Sequence, residues 1–319
     1  MELSGLYVPL ITPFTDAGQL DLAALAAQAA AVLDEGATGV VALGTTGESA
    51  TLTREEQRRV AATCAGVCAE RGKQMLLGAG SNDTAASTEM ISEVDPQAAA
   101  LLVVVPYYSR PSQDGVVEHF RRVAAASPVP VIVYNVPYRT SLSLTPDTLL
   151  RLAALPNVAG FKHAVGCIDD ATIEFMRQVG PDVAVLAGDD AYAGPLMALG
   201  GRGAILASAN ILTRQYVELL QAWRQGPIDE ARSLHNALAP VSRSLFAEPN
   251  PVVIKAVLAA QGRIPSRHVR LPLLPATDGA LDAALGAIRP HEQRFRLGPH
   301  GVSASHAPRS NERRGRRTV

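Results

Sequence analysis

The stretch Val158-Ala-Gly-Phe-Lys-His-Ala-Val-Gly166 follows the turn signal Leu155-Pro-Asn157 and reads as a short apolar strand with a charge near its far end. Period-two alternation puts Val158, Gly160, Lys162 and Ala164 on one face, with Ala159 and Phe161 on the other. The lysine therefore points the same way as small residues. Lys is almost never fully buried unless it is paired or functional. The chain has only three Lys (Lys73, Lys162 and Lys255) against twenty-six Arg. Where Arg carries most of the positive charge, a strand-borne Lys points to chemistry that a guanidinium cannot do. An amine whose pKa is lowered by burial attacks a carbonyl and forms a Schiff base. A strand-end Lys can also simply reach solvent or pair with a carboxylate. This stretch alone leaves both open.

Seven further apolar, β-branched stretches end in turn signals: Leu6–Thr12, Gly39–Thr45, Gln74–Gly80, Ala99–Pro106, Val129–Pro137, Val183–Asp189 and Gly203–Ala209. Helical patterns lie between them. One runs from Leu22 to Glu35 and stops at Gly36; another opens at Thr53 with Glu56 three residues on, a capping box; a third opens Thr145-Pro146. Near-continuous apolar strands alternating with helices mean a parallel sheet covered on its outer face. Eight such units predict an α/β fold, a closed (β/α)8 TIM barrel over residues 1–225. Past Asn210 the strands stop. Ile211–Gln225 reads as the last barrel helix, and Ile228–Phe246, Pro251–Gly262 and Thr277–Ile288 as a C-terminal helical region over 226–290. Residues 291–319 hold seven Arg and two Glu with no apolar period, and predict a disordered basic tail.

The rest of the composition narrows the class. No apolar run reaches membrane-span length, and residues 1–12 form a Pro-interrupted apolar strand without a basic leader, which predicts a cytoplasmic protein. Cys64, Cys68 and Cys167 have neither disulfide nor metal-ligand spacing and predict buried thiols. The basic tail is read as a solvated extension, with no nucleic-acid partner and no membrane contact.

A barrel of this kind carries its active site at the C-terminal ends of its strands. There stand Thr45-Thr46-Gly47-Glu48, Asn82, Tyr107-Tyr108, Tyr134-Asn135, Lys162, Gly188-Asp189 and Ser208. Gly44-Thr-Thr-Gly-Glu48 makes a nest of N–H and O–H donors suited to a small carboxylate. Tyr134 ends a strand, and a buried phenol there can shuttle a proton or bond a backbone carbonyl. Arg139, on the following loop, can fork onto a substrate carboxylate or lie solvated. Gly200-Gly-Arg-Gly203 looks like a phosphate loop, but it precedes a strand and is read as a helix C-cap on the opposite face.

Together, Gly44-Thr-Thr-Gly-Glu-Ser-Ala-Thr-Leu52, Pro106-Tyr-Tyr-Ser-Arg-Pro-Ser-Gln113, Tyr134-Asn-Val-Pro-Tyr-Arg-Thr140, Gly160-Phe-Lys162, Gly188-Asp-Asp190 and Glu248-Pro-Asn-Pro-Val-Val-Ile-Lys255 closely resemble the 4-hydroxy-tetrahydrodipicolinate (dihydrodipicolinate) synthases. These are pyruvate-dependent class I aldolases, with N-acetylneuraminate lyase as a cousin. The resemblance spans residues 3–289. It implies a lyase of lysine and diaminopimelate biosynthesis that condenses pyruvate with L-aspartate 4-semialdehyde. No cofactor or metal is implied, because pyruvate itself is held as a covalent Schiff base. Lys162 would form that base and Tyr134 would move its protons, with Thr45 linking it to Tyr108 of a neighbouring subunit. Thr46 would hold the pyruvate carboxylate, Arg139 the carboxylate of the aldehyde, and Gly188 and Ile205 would line the pocket. A homotetramer built as a dimer of dimers is also implied.

The chain departs from the family pattern after the lysine, where His163-Ala-Val165-Gly stands in place of Glu-Ala-Thr/Ser-Gly. The outward parity of His163 favours a structural change, with consequences for the aldehyde side. Another pyruvate aldolase, acting on a 2-oxo sugar acid or 4-hydroxy-2-oxoglutarate, is the alternative, and Arg139 favours the synthase. In lysine-inhibited members a cleft binds lysine. Its matching positions here are Ser49, Ala50, Arg54, Gln57, Asn82, Ala86 and Tyr107, with Ala86 where those members carry a carboxylate. Weak or absent lysine inhibition is expected.

Overall fold

All eight apolar stretches form strands in the computed structural model, which describes residues 2–94 and 97–296. They are Gly5–Pro9 (β1), Gly39–Ala42 (β2), Gln74–Ala79 (β3), Ala100–Val104 (β4), Val131–Asn135 (β5), Val158–His163 (β6), Ala184–Ala187 (β7) and Gly203–Ile205 (β8). Neighbours in sequence pair in parallel, and β8 closes onto β1. The expected (β/α)8 barrel is the fold. Its interior is filled by Tyr7, Val41, Leu76, Leu102, Ile132, Leu186 and Ile205. A second, larger layer of apolar side chains, among them Leu25, Val60, Phe120, Leu149 and Leu219, lies between the strands and the surrounding helices. Burial on both faces is why the strands read as continuous apolar runs rather than alternating ones.

The strands stop short of the apolar stretches, mainly at their C-terminal ends. At β2, Leu43 turns to a φ of 57° and the chain closes a 3-10 turn over Thr45–Gly47. The residues dropped from the ladder in this way are the ones that face the barrel mouth. Strand β6 also departs from simple alternation. Val131 pairs with Val158 and Ile132 with Gly160, so Ala159 is an extra residue on the bulged strand. Val158 accordingly joins the outer layer and Ala159 packs against the interior. The expected facing holds from Gly160 onward.

Helix ends follow their sequence signals. Thr53 and Glu56 make the reciprocal capping box, with Glu56 N–H donating to Thr53 Oγ1 over 3.2 Å and Thr53 N–H to Glu56 Oε2 over 2.9 Å. Such a cap is worth about 1 kcal/mol. Gly200 ends the helix Ala193–Ala198 at a φ of 102°, with Gly201 N–H donating to Leu196 C=O, as a C-cap requires. After the helix Thr213–Gln225 come Ile228–Leu245, Val252–Ala260 and Asp278–Arg296. The last helix corrects two expectations. It passes through Pro290 to Arg296 rather than ending at Ile288, so the first six residues of the supposed disordered tail are helical. Leu281, Leu285 and Ile288 bind it to the outer core, and that packing offsets the lost N–H and the carbonyl crowding that Pro290 brings. The remainder of that tail, residues 297–319, lies outside the described residues.

Cys64 and Cys68 are buried as expected, but Cys167 is exposed, because the chain has already left β6 and turned at Gly166 (φ 77°). Among the described residues no helix is long and apolar enough to cross a membrane.

Candidate active site

Lys162 and Tyr134 are register partners on β6 and β5, so their side chains enter the barrel mouth side by side. Lys162 is 6% exposed, and its Nζ lies 4.2 Å from the Tyr134 ring centroid. Burial pulls the ammonium down to about 8, while the charge on Asp190 opposes the shift. An amine so placed is partly neutral near physiological pH, as a nucleophile must be. Burial also holds the Tyr134 phenol above its usual range, offset by the nearby Arg139 charge and a hydrogen bond with the Thr45 side chain. A neutral phenol both donates and accepts, which suits it to pass protons.

Thr45 and Thr46 begin the 3-10 turn Thr45–Gly47, so their N–H groups have no partner within the turn. The turn is fixed from three sides. Thr12 Oγ1 donates to Gly47 C=O over 2.7 Å, and Asn250 Nδ2 donates to Thr46 Oγ1 over 2.9 Å. Glu48, held at a φ of 53°, receives Lys255 Nζ over 2.7 Å and the Arg270 backbone N–H over 2.9 Å. Lys255 also rests 4.1 Å from the centre of the Phe14 ring. This second lysine is fully buried, and burial lowers it to about 8 against the pull of Glu48. Its ammonium is committed to a carboxylate, whereas that of Lys162 has no salt bridge and lies against the Tyr134 ring.

A cavity of about 490 Å³ is lined by Gly44, Thr45, Tyr107, Tyr134, Arg139 and Asn250. Arg139 is exposed on its short helix, Pro137–Thr140, and its guanidinium lies 5.1 Å from the Tyr138 ring centre. Gly188 packs against the stem of Lys162, and Ile205 is buried in the interior beside them. Seven of the eight expected site residues, Thr45, Thr46, Tyr134, Arg139, Lys162, Gly188 and Ile205, thus gather at one end of the barrel. Tyr108 does not join them. It is 90% exposed at a φ of 68°, and its hydroxyl meets no partner among the described residues of this chain.

Sequence reasoning gave no role to Asp190, Asn250 or Glu48. Asp190 is 5% exposed, and its carboxylate accepts the N–H groups of Ala207 and Ser208. Burial pushes it up to about 7 against those donors and the Lys162 charge. It pins the loop after β8 to the end of β7, next to the lysine. The Gly188-Asp-Asp190 sequence was a signal for it, two carboxylates directly beyond a strand end. Nothing local signals Asn250, whose partner is 204 positions away.

His163, the departure beside the lysine, lies behind the strand as its parity requires. Its Nε2 is 3.0 Å from Thr172 Oγ1, and its ring stands 5.9 Å from Phe175. It joins β6 to the helix Asp170–Gln178 and does not enter the cavity. Among the described residues no group of three or more His, Cys, Asp or Glu is placed to hold a metal ion.

The same arrangement of elements recurs in known proteins. Residues 2–288 match the dihydrodipicolinate synthetase family. The 4-hydroxy-tetrahydrodipicolinate synthase of Moorella thermoacetica is 40% identical over 290 residues, covering 91% of this chain and 98% of that protein. The solved 4-hydroxy-tetrahydrodipicolinate synthase of Methylacidiphilum fumariolicum SolV superposes with a TM-score of 0.88 at 32% identity, over 95% of this chain and 100% of the other. A monomeric dihydrodipicolinate synthase variant is also similar, with a TM-score of 0.85 at 31% identity over 90% of this chain and 96% of its own. A buried strand lysine under a Thr-Thr turn, on a barrel matched from end to end, makes this chain a member of the dihydrodipicolinate synthetase family.

Proposed function

We propose that this chain is the lyase that condenses pyruvate with L-aspartate 4-semialdehyde to 4-hydroxy-tetrahydrodipicolinate, using no cofactor or metal. One observation carries the reading: the buried amine of Lys162 lies 4.2 Å from the ring of Tyr134, which lines one cavity with Thr45. The neutral Lys162 amine attacks the keto carbon of pyruvate, and loss of water leaves an iminium. The iminium withdraws electrons, so a proton leaves the methyl carbon and an enamine forms. That carbon adds to the aldehyde, whose oxygen takes up a proton. The amino group of the bound aldehyde substrate then attacks the imine carbon, closing the ring and returning Lys162. Tyr134 moves the protons, and Thr45 connects it onward.

Two anion clamps position the partners. Thr46 and the free N–H groups of its turn hold the pyruvate carboxylate, and Arg139 holds that of the aldehyde. Gly188 and Ile205 shape the pocket. Tyr108, projecting into solvent from a left-handed backbone, serves the site of a neighbouring subunit, in a homotetramer built as a dimer of dimers. The enzyme works in the cytoplasm.

The test is treatment with pyruvate and borohydride followed by digestion, with turnover measured on aspartate semialdehyde and a panel of other aldehydes. The reduced adduct is expected on Lys162. An adduct on Lys73 or Lys255, or none, overturns the mechanism, and preferred turnover of another aldehyde overturns the substrate. Tyr108→Phe is expected to cut turnover at least tenfold with folding unchanged. Near-normal turnover in that variant removes Tyr108 from the relay.

A further inference from the structure

A second cavity, of about 430 Å³, shares Arg139 and Asn250 with the first as a common wall. Asp189, Asp190, Tyr192, Arg243 and Glu248 also line it. Arg243 lies in the last turn of the helix Ile228–Leu245, which belongs to the C-terminal region rather than to the barrel. Among the described residues neither it nor Arg139 forms a salt bridge; Arg139 Nε donates to Tyr138 Oη, and its charge acts on Asp189. The acidic residues of this cavity accept hydrogen bonds from neutral donors, Asp190 from Ala207 and Ser208 N–H. Glu248 accepts the N–H and the hydroxyl of Thr277, and Asp189 accepts the N–H of Gly166 over 2.7 Å. Two guanidinium groups without a salt bridge therefore line one crevice, whose walls also carry Asp189, Asp190 and Glu248. A planar guanidinium is matched to a carboxylate.

We infer that Arg243 is a second substrate-binding arginine, which with Arg139 brackets the carboxylate of the incoming aldehyde. This rests on the condensation proposed above, and it adds a residue from outside the barrel. Pyruvate is held at the Thr-Thr turn, so the second crevice is left to the partner molecule. A carboxylate has two oxygens, and a second guanidinium in the same crevice gives both a charged donor. The attraction between a guanidinium and that carboxylate is one that salt weakens.

The experiment compares full-length Arg243→Gln and Arg243→Lys with the unaltered chain in steady-state kinetics at two ionic strengths. For Arg243→Gln, KM for aspartate semialdehyde is expected to rise about tenfold, the loss of about 1.4 kcal/mol of binding. Pyruvate KM and kcat are expected to change by less than about twofold, and kcat/KM for the aldehyde to become less sensitive to salt. Arg243→Lys, which keeps the charge without the fork, should fall between the two. A cation in a last helical turn also offsets the helix dipole. That role alone would lower Tm in Arg243→Gln and leave KM where it was. An aldehyde KM within about twofold of the unaltered chain, or an equal rise in pyruvate KM, overturns the inference. The borohydride adduct on Lys162 does not depend on Arg243, so its presence at normal yield in Arg243→Gln separates failure here from failure of the underlying mechanism.

Discussion

A Cβ added to Gly188 would stand 2.9 Å from Lys162 Cγ, so the end of β7 is shaped around the stem of the lysine on β6. The same Cβ would also come within 2.7 Å of Ala164 Cβ. Gly188→Ala is therefore expected to displace the lysine side chain. A misplacement on the order of 1 Å costs about a hundredfold in rate. Adduct formation with pyruvate should fall by about that factor while the circular dichroism spectrum stays unchanged. Normal trapping kinetics would show that the Lys162 stem is not held by this contact.

Adduct formation should follow the titration of Lys162. With a pKa of about 8, roughly one-tenth of the amine is neutral at pH 7, against about one in three thousand for an ordinary lysine. The trapping rate at limiting pyruvate is expected to rise about tenfold per pH unit below pH 7 and to level above about 8. A rate still climbing steeply at pH 10 would mean that burial does not depress this amine.

Glu48 and Lys255 form an ion pair buried on both sides. Removing one partner leaves the other charge without compensation, at a cost of about 3–5 kcal/mol. Glu48→Gln and Lys255→Met should each lower the urea midpoint by a corresponding amount. The double variant should lose much less than the two together. Additive losses would exclude direct coupling between them.

His119 and His163 are buried and neutral, each lowered by burial to about 4 from an unfolded value near 6.5. Between those values the unfolded chain binds more protons, so stability rises with pH and is lost as pH falls below about 6.5. The slope approaches about 1.4 kcal/mol per pH unit for each histidine. Urea unfolding at pH 7 and pH 5 measures this, and an unchanged midpoint would contradict it.

L-Lysine is expected to inhibit weakly or not at all. Ala86 offers no carboxylate, and its N–H is taken by the Asp83 carboxylate that caps the helix Thr84–Ser92. One missing charge-assisted hydrogen bond costs about 1.5–3 kcal/mol, which is about tenfold or more in affinity. An initial-rate titration at saturating pyruvate checks this, and half-inhibition at submillimolar lysine would refute it. Ala86→Glu is expected to strengthen inhibition.

What could be read in the chain was local or repetitive. Eight apolar stretches with caps between them define the barrel, and parity places Lys162 inward because one strand's alternation is enough. The bulge at Ala159 escaped notice, since a register shift belongs to the pairing with β5 and not to the strand itself. The strand ends were overrun because Leu43 is apolar enough to continue β2 and turns to positive φ only in the folded loop. Asn250, Lys255 and Arg270 act on residues more than 200 positions earlier, a distance at which no spacing rule operates.

That distance bears on how the protein is made. Synthesis runs from the N-terminus, so the Thr45–Gly47 turn and Glu48 emerge from the ribosome long before Lys255 and Arg270, 207 and 222 positions later. Until those residues arrive, Glu48 has neither Lys255 nor the Arg270 N–H to meet, and of the supports of the turn only Thr12 is in place. The turn beside Tyr134 is thus completed only by residues that follow the barrel in sequence.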